Sequence, residues 1–94
     1  MKYEVRYSDR ALQQIKPLRA YDKAAILQKI EQVLTTRPVK TSKTAIKLLE
    51  QPAPGQYRLR VENYRIFYNV EGDVVRIVEI MTKEDSVIFL RRHT

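Results

Sequence analysis

Apolar and polar side chains alternate from the start: Tyr3, Val5 and Tyr7 are separated by Glu4 and Arg6. A period of two predicts a strand over residues 3–7. Ser8-Asp9 then supplies an N-cap signal, and Ala11, Leu12 and Ile15 follow at helical spacing. Pro17 lacks an N–H and disfavours helix in the residue before it, so it ends or kinks this first short helix. A second helix is predicted over residues 20–35, where Ile26, Leu27, Ile30, Val33 and Leu34 form one apolar stripe. Arg37-Pro38 stops it. Residues 38–55 hold three of the four prolines and read as irregular, with Ile46, Leu48 and Leu49 pinning the segment to the core.

The last third reads as an antiparallel meander. Tyr57, Leu59 and Val61 share one face, with Arg58 and Arg60 on the other. In the next strand Tyr64, Ile66, Tyr68 and Val70 share one face, with Arg65, Phe67 and Asn69 opposite. Glu62-Asn63 and Glu71-Gly72-Asp73 are turns by composition. Val74–Met81 is largely apolar and so central. Thr82–Ser86 is a polar break, and Val87–Arg92 a short helix or tail. The expected class is α+β in the order β-α-α-β-β-β, with two N-terminal helices on one face of a small antiparallel sheet and the other face open.

Composition narrows the chemistry. At 94 residues the chain is expected to be a single domain, 1–94. It has no cysteine, which removes disulfides, thiolate chemistry and cysteine-based zinc sites. No cofactor or metal is expected. No long uncharged apolar run suits a membrane helix, and the first residues lack a signal-peptide core, so the cytoplasm is the expected compartment. A net charge of +7 favours phosphate-rich or acidic partners. His93, the one histidine, lies where chains usually fray and reads as an exposed side chain rather than a catalytic one.

The cations are patterned. With Glu62-Asn63 as a two-residue turn, Arg60 stands across from Arg65 and Arg58 from Phe67. Like charges directly opposite destabilise a strand pair; a polyanion or an acidic segment lying over them would resolve the repulsion. With Glu71-Gly72-Asp73 as a three-residue loop, Arg65 neighbours Glu79 and Phe67 neighbours Ile77, which offers Arg65 an ordinary cross-strand ion pair instead.

The segment Gln56-Tyr57-Arg58-Leu59-Arg60-Val61-Glu62-Asn63-Tyr64-Arg65-Ile66-Phe67-Tyr68 resembles the signature of the RelE/ParE toxin superfamily: a Tyr-basic-apolar-basic strand followed closely by Tyr-Arg-apolar-apolar-Tyr. Lys47-Leu48-Leu49 and the paired helices sit where that family has them, and the resemblance covers essentially the whole chain. It implies a RelE-like, microbial-ribonuclease-type fold and the toxin of a type II toxin–antitoxin module. In RelE-like members the toxin enters the ribosome and cuts messenger RNA, the 2′-hydroxyl attacking the adjacent phosphate. That chemistry needs a base, cations for the phosphorane charge and an acid for the leaving oxygen.

Carried onto this chain, the resemblance assigns Arg58 and Arg60 to the basic positions of the first signature strand and Arg65 to the phosphate clamp. Lys83 falls near a further basic position. Phe89 falls where the family often has a stacking tyrosine, and Phe67 is the other aromatic candidate for substrate binding. Arginine stays protonated at ordinary pH, so Arg60 is a poor base and Lys83 the better candidate for proton transfer. Glu84 and Asp85 stand beside the candidate site and would repel RNA phosphates. The implied partners are a cognate antitoxin with an acidic segment, the ribosome and messenger RNA. The implied activity is a ribosome-dependent endoribonuclease; the alternatives are a ParE-like DNA gyrase inhibitor and a degenerate member that only binds its antitoxin.

Overall fold

The computed structural model describes residues 2–92; His93 lies outside them. Strand β1 (Glu4–Tyr7) leads into α1 (Asp9–Ile15) and α2 (Ala20–Lys29). Helix α2 runs on as a π-helical turn over Ile30–Leu34, so the predicted second helix is one continuous rod with a widened end. Then come β2 (Ile46–Leu48), β3 (Tyr57–Val61), β4 (Tyr64–Glu71), β5 (Val74–Thr82) and α3 (Lys83–Arg92). The sheet order is β1-β5-β4-β3-β2. The α+β class and the β3–β4–β5 meander are as expected. The sheet departs from expectation in two ways: β1 runs parallel to β5, making it mixed, and β2 pairs antiparallel with β3 as an edge strand inside the supposedly irregular stretch.

Helices α1 and α2 cover one face. Ala11, Ile15, Ile26, Ile30 and Leu34 pack there against Leu59, Val61, Ile66, Tyr68, Val75 and Ile77. Ser8 caps α1 as its sequence indicated, accepting from Ala11 N at 3.0 Å. Leu27, assigned to the apolar stripe, is 40% exposed. Ile46 is buried, whereas Leu48 is 59% exposed at the sheet edge and does not pin the segment.

The β3–β4 register is as predicted: Val61 pairs with Tyr64, Arg60 with Arg65 and Arg58 with Phe67. The β4–β5 register is not. Glu71 itself pairs with Val74, so the loop has two residues, Gly72 taking a φ of 61° that its missing side chain tolerates. A bulge follows, because Tyr68 pairs with Ile77 but Phe67 with Glu79. Val78 is the extra residue, and it lets Ile77 and Ile80, three apart, share the core face. Arg65 therefore stands opposite Met81, not Glu79.

Glu79 is held elsewhere. Beyond Ile77, β1 no longer covers the edge of β5, and α1 takes its place. Ser8 N donates to Ile77 O and Ser8 Oγ to Val78 O, at 2.9 and 2.8 Å. Gln14 Oε1 accepts from Ile80 N and Gln14 Nε2 donates to Glu79 Oε2, both at 2.6 Å. Arg10 pairs with the other Glu79 oxygen. Side chains of a helix thus satisfy a strand edge that would otherwise be unpaired.

Tyr68 is fully buried on β4, stacked on Tyr57 at 5.5 Å, and donates its hydroxyl to Pro38 O at 2.6 Å. Burial, with Tyr57 nearby, raises its pKa above the ordinary tyrosine value. Gly55 lies against the same backbone: a Cβ there would meet Tyr68 N at 2.9 Å and Tyr68 O at 3.0 Å. Gly55→Ala should therefore destabilise the fold by about 1–3 kcal/mol, the usual cost of forced overpacking, measurable as a lower denaturant midpoint at unchanged m-value.

Candidate functional site

The far face of the sheet carries Arg58, Arg60, Arg65 and Phe67, alternating with residues that enter the helical core. It is not fully open, contrary to the expectation for a sheet with helices on one side. Phe67 and Met81 are buried although neither belongs to the helix-side core. Helix α3 packs against β4 and β5. Its far end reaches the β2 flank, where Leu90 shares a groove with Lys47, Leu48 and Pro52. Two outward apolar side chains require such a cover.

The polar break predicted at Thr82–Ser86 is the start of this helix. Thr82 Oγ1 accepts from Asp85 N at 3.1 Å, and Ser86 Oγ donates to Lys83 O at 2.8 Å. Thr82-Lys83-Glu84-Asp85 is a capping sequence, with Glu84 and Asp85 in the first turn, where the helix dipole favours carboxylates. The capping signal is present in the sequence, within the segment expected to be a polar break whose two acids repel RNA.

The three arginines differ in environment. Arg60 is exposed on β3, directly across from Arg65. Arg65 is only 7% exposed; its Nη1 donates to Glu62 O at 3.1 Å and Tyr64 O at 2.9 Å, folding the guanidinium back over the β3–β4 turn. Burial first, and Arg60 second, lowers its pKa below the ordinary arginine value, with Glu84 acting the other way. Arg58 is half-buried, and burial, then Arg65 and Arg60, lowers its pKa too. Arg58 Nε is buried with no hydrogen-bond partner, the one such side-chain atom among the described residues. A buried donor without an acceptor costs about 1–3 kcal/mol. None of the three forms an ion pair among the described residues.

The turn itself is strained. Glu62 adopts a φ of 51° without being glycine, a conformation that costs about 1–2 kcal/mol. Asn63 O accepts from Lys83 N at 2.8 Å, and Asn63 Nδ2 donates to Glu84 Oε2 at 3.4 Å. The turn thus ties the start of α3, and Lys83 with it, to the end of the sheet that carries Arg60 and Arg65. Tyr64 donates to Asp22 at 3.0 Å and fastens the same corner to α2.

Of the candidate residues, Arg58, Arg60 and Arg65 share one face, and Lys83 is exposed at the same corner. Phe67 has no exposed surface, so it underlies the arginines and offers no ring to a base in this form. Phe89 is half-buried along α3, apart from the turn. Among the described residues no group of three histidines or carboxylates is placed to hold a metal ion, and no helix is long and apolar enough to cross a membrane.

The chain thus has a helix pair on one face of a mixed five-stranded sheet and, on the other, a row of arginines without carboxylate partners among the described residues. Three solved structures are similar in fold. The toxin–antitoxin complex RelBE2 from Mycobacterium tuberculosis has a TM-score of 0.72 at 21% identity, over 87% of this chain and 99% of that one. The archaeal RelE–RelB complex from Pyrococcus horikoshii OT3 has a TM-score of 0.71 at 23% identity, over 88% and 97%. A free-state mutant of Escherichia coli toxin RelE has a TM-score of 0.70 at 20% identity, over 98% of both chains. No curated protein matches the chain in sequence. The family model of the ParE toxin of the parDE type II toxin–antitoxin system matches residues 5–87. The chain belongs to this family, within the RelE/ParE superfamily of type II toxins.

The cap makes a checkable claim about the site. Thr82→Ala should cost about 1 kcal/mol, and amide exchange should quicken first over the opening turns of α3, leaving β3 and β4 protected.

Proposed function

We propose that this toxin is a ribosome-dependent messenger RNA endoribonuclease. The observation that carries this reading is the arginine row: three cations held on one sheet face without a carboxylate partner, one with a buried donor left open. Such an arrangement costs the free protein stability and suits an anion with several oxygens, as a phosphodiester is.

In this reading the 2′-hydroxyl oxygen attacks the neighbouring phosphorus and the bond to the 5′-oxygen breaks. The products are a cyclic phosphate and a 5′-hydroxyl. Arg65, fixed by two turn carbonyls, and Arg58 stabilise the charge on the pentavalent phosphate. Arg60 binds the neighbouring backbone. Lys83 is assigned to proton transfer: as the free amine it takes the 2′-hydroxyl proton, which a guanidinium cannot accept, and water supplies the proton that the leaving 5′-oxygen gains. Phe89 is assigned to stacking on a base. Phe67 then serves as the floor of the site rather than a stacking surface, given its burial. The row provides cations, while the nearby carboxylates Glu84 and Asp85 are committed to the first turn of α3, so the ribosome supplies the alignment for in-line attack.

The partner proposed for the cytoplasmic protein is a small antitoxin whose acidic segment covers the arginine face and competes with RNA. Two of the solved structures similar in fold are a toxin–antitoxin complex and a RelE–RelB complex, which supports a partner of the antitoxin type. A second reading, inhibition of DNA gyrase, is favoured by the match to the ParE toxin model. That role requires no acid–base pair.

A primer-extension map of a translated message with the purified toxin, beside a gyrase supercoiling assay, separates the two. The expected result is cleavage within codons on the ribosome only, with supercoiling unaffected. Arg65→Ala should lose about a hundredfold or more in rate, the scale for removing one oxyanion stabiliser. Lys83→Ala should lose rate while still binding ribosomes, and Phe89→Tyr should keep or raise activity. Intact message with blocked supercoiling would reject the nuclease reading.

A further inference from the structure

Beyond the arginine row, net positive charge is concentrated in one stretch, because carboxylates are missing from it. Residues 32–49 contain Arg37, Lys40, Lys43 and Lys47 and no carboxylate, against a net charge of +7 for the whole chain. None of these four, nor Lys29 on α2, forms an ion pair among the described residues. Two grooves meet here. One, of about 390 Å³, runs between α2 and the end of β3 and is lined by Tyr21, Gln28, Lys29 and Arg60. The other, of about 250 Å³, is lined by Lys29, Arg37, Lys40, Thr41 and Ser42. Lys29 lines both, so cations mark a path from the edge of the arginine row past α2 to the loop after it.

The loop is a fixed platform rather than a loose tail. Arg37 N donates to Val33 O at 2.9 Å, Ser42 N to Ile46 O at 2.9 Å and Ala45 N to Ser42 Oγ at 3.0 Å. Arg60 N donates to Ala45 O at 2.9 Å, which ties the platform to the strand carrying the arginines. Pro38 is buried beneath it. Tyr21 is 70% exposed at the other end of the path. Carboxylates nearby include Glu62, which lines the first groove, Glu31 on the π-helical turn and Glu50, which shares a groove with Lys47; none forms an ion pair with these cations among the described residues.

We propose that this path is a second RNA-backbone site, with Lys29, Arg37 and Lys40 each taking a phosphate of a strand that passes Arg60, and Tyr21 stacking on one of its bases. The choice of RNA as the polyanion rests on the nuclease reading above. Spaced cations with an exposed aromatic ring suit a flexible polyanion whose bases can stack. A docked acidic helix would instead need a continuous apolar stripe to pack against, and here Ala24, Ala25, Val33, Ala45, Ile46 and Val61 are interrupted by lysine, arginine, glutamine and hydroxyl side chains. The strand could belong to the message or to ribosomal RNA, since both present the same phosphodiesters.

The test uses the full-length Arg37→Ala/Lys40→Ala variant, whose changed side chains are both exposed, with Lys40→Glu as a second variant. Affinity is measured across a salt series for three probes: an unstructured 15-nucleotide RNA, ribosomes without message, and a glutamate-rich peptide. Removing two phosphate contacts should lower the salt slope for RNA by about 1.4 and weaken low-salt binding by roughly tenfold. Loss on the oligonucleotide assigns the path to the message, and loss on ribosomes alone assigns it to ribosomal RNA. Unchanged binding to both RNA probes, or loss confined to the acidic peptide, would overturn the proposal. Reduced RNA affinity in the variant, together with an intact message under the parent toxin, would leave this site standing and remove the nuclease reading instead.

Discussion

Strand β4 lies in the middle of the sheet and is buried on both sides. Its even positions, Tyr64, Ile66 and Tyr68, enter the core beneath α1 and α2. Its odd positions, Arg65 and Phe67, face the other way and are also nearly or fully buried. That second burial requires α3 to fold back over the sheet. It also places a guanidinium where its hydrogen bonds must come from the turn carbonyls of Glu62 and Tyr64. The rigidity of Arg65, the cover over Phe67 and the anchoring of Lys83 at the turn all descend from this one constraint.

The same constraint sets the electrostatics. Arg58 and Arg60 flank Leu59 on β3 and so share the face of Arg65. Three cations on adjacent strands repel one another, more strongly where burial reduces screening. Glu79 could have relieved Arg65, but the Val78 bulge leaves Met81 opposite Arg65 while α1 holds Glu79 through Gln14 and Arg10. Glu84 is the carboxylate that acts on Arg65, from the first turn of α3. The face therefore keeps an excess positive field and an unpaired donor on Arg58, a state improved by any bound anion that brings oxygens.

Period-two alternation in Tyr57–Val61 and Tyr64–Val70, joined to a two-residue turn at Glu62-Asn63, was enough to read the β3–β4 pairing and the arginine row, because alternation fixes the faces and turn length fixes the register. The β5 pairing was less legible: Ile77 and Ile80 stand three apart, which breaks a strand's alternation and marks the bulge only once both are known to face inward. Strand β2 is three residues long and edge-paired, too short to impose a period. The start of α3 was encoded in Thr82 and Asp85, whose capping role competes with their plain polarity. The burial of Phe67 follows from that helix and was not readable from β4 alone. The parallel seat of β1 beside β5 depends on long-range packing that no local pattern records.

Repulsion between Arg60 and Arg65, relieved by a bound phosphodiester, is the centre of this account. A double-mutant cycle on these two residues, with glutamine replacements, tests it most directly. Unfolding free energies are measured at low and high salt, with and without a short RNA. In the free protein at low salt the pair should show a repulsive coupling of about 0.2–1 kcal/mol, the range for directly opposed side chains in a sheet. The coupling should shrink at high salt and vanish or turn favourable with RNA bound. Additive or attractive behaviour in the free protein, unchanged by salt or RNA, would contradict the account.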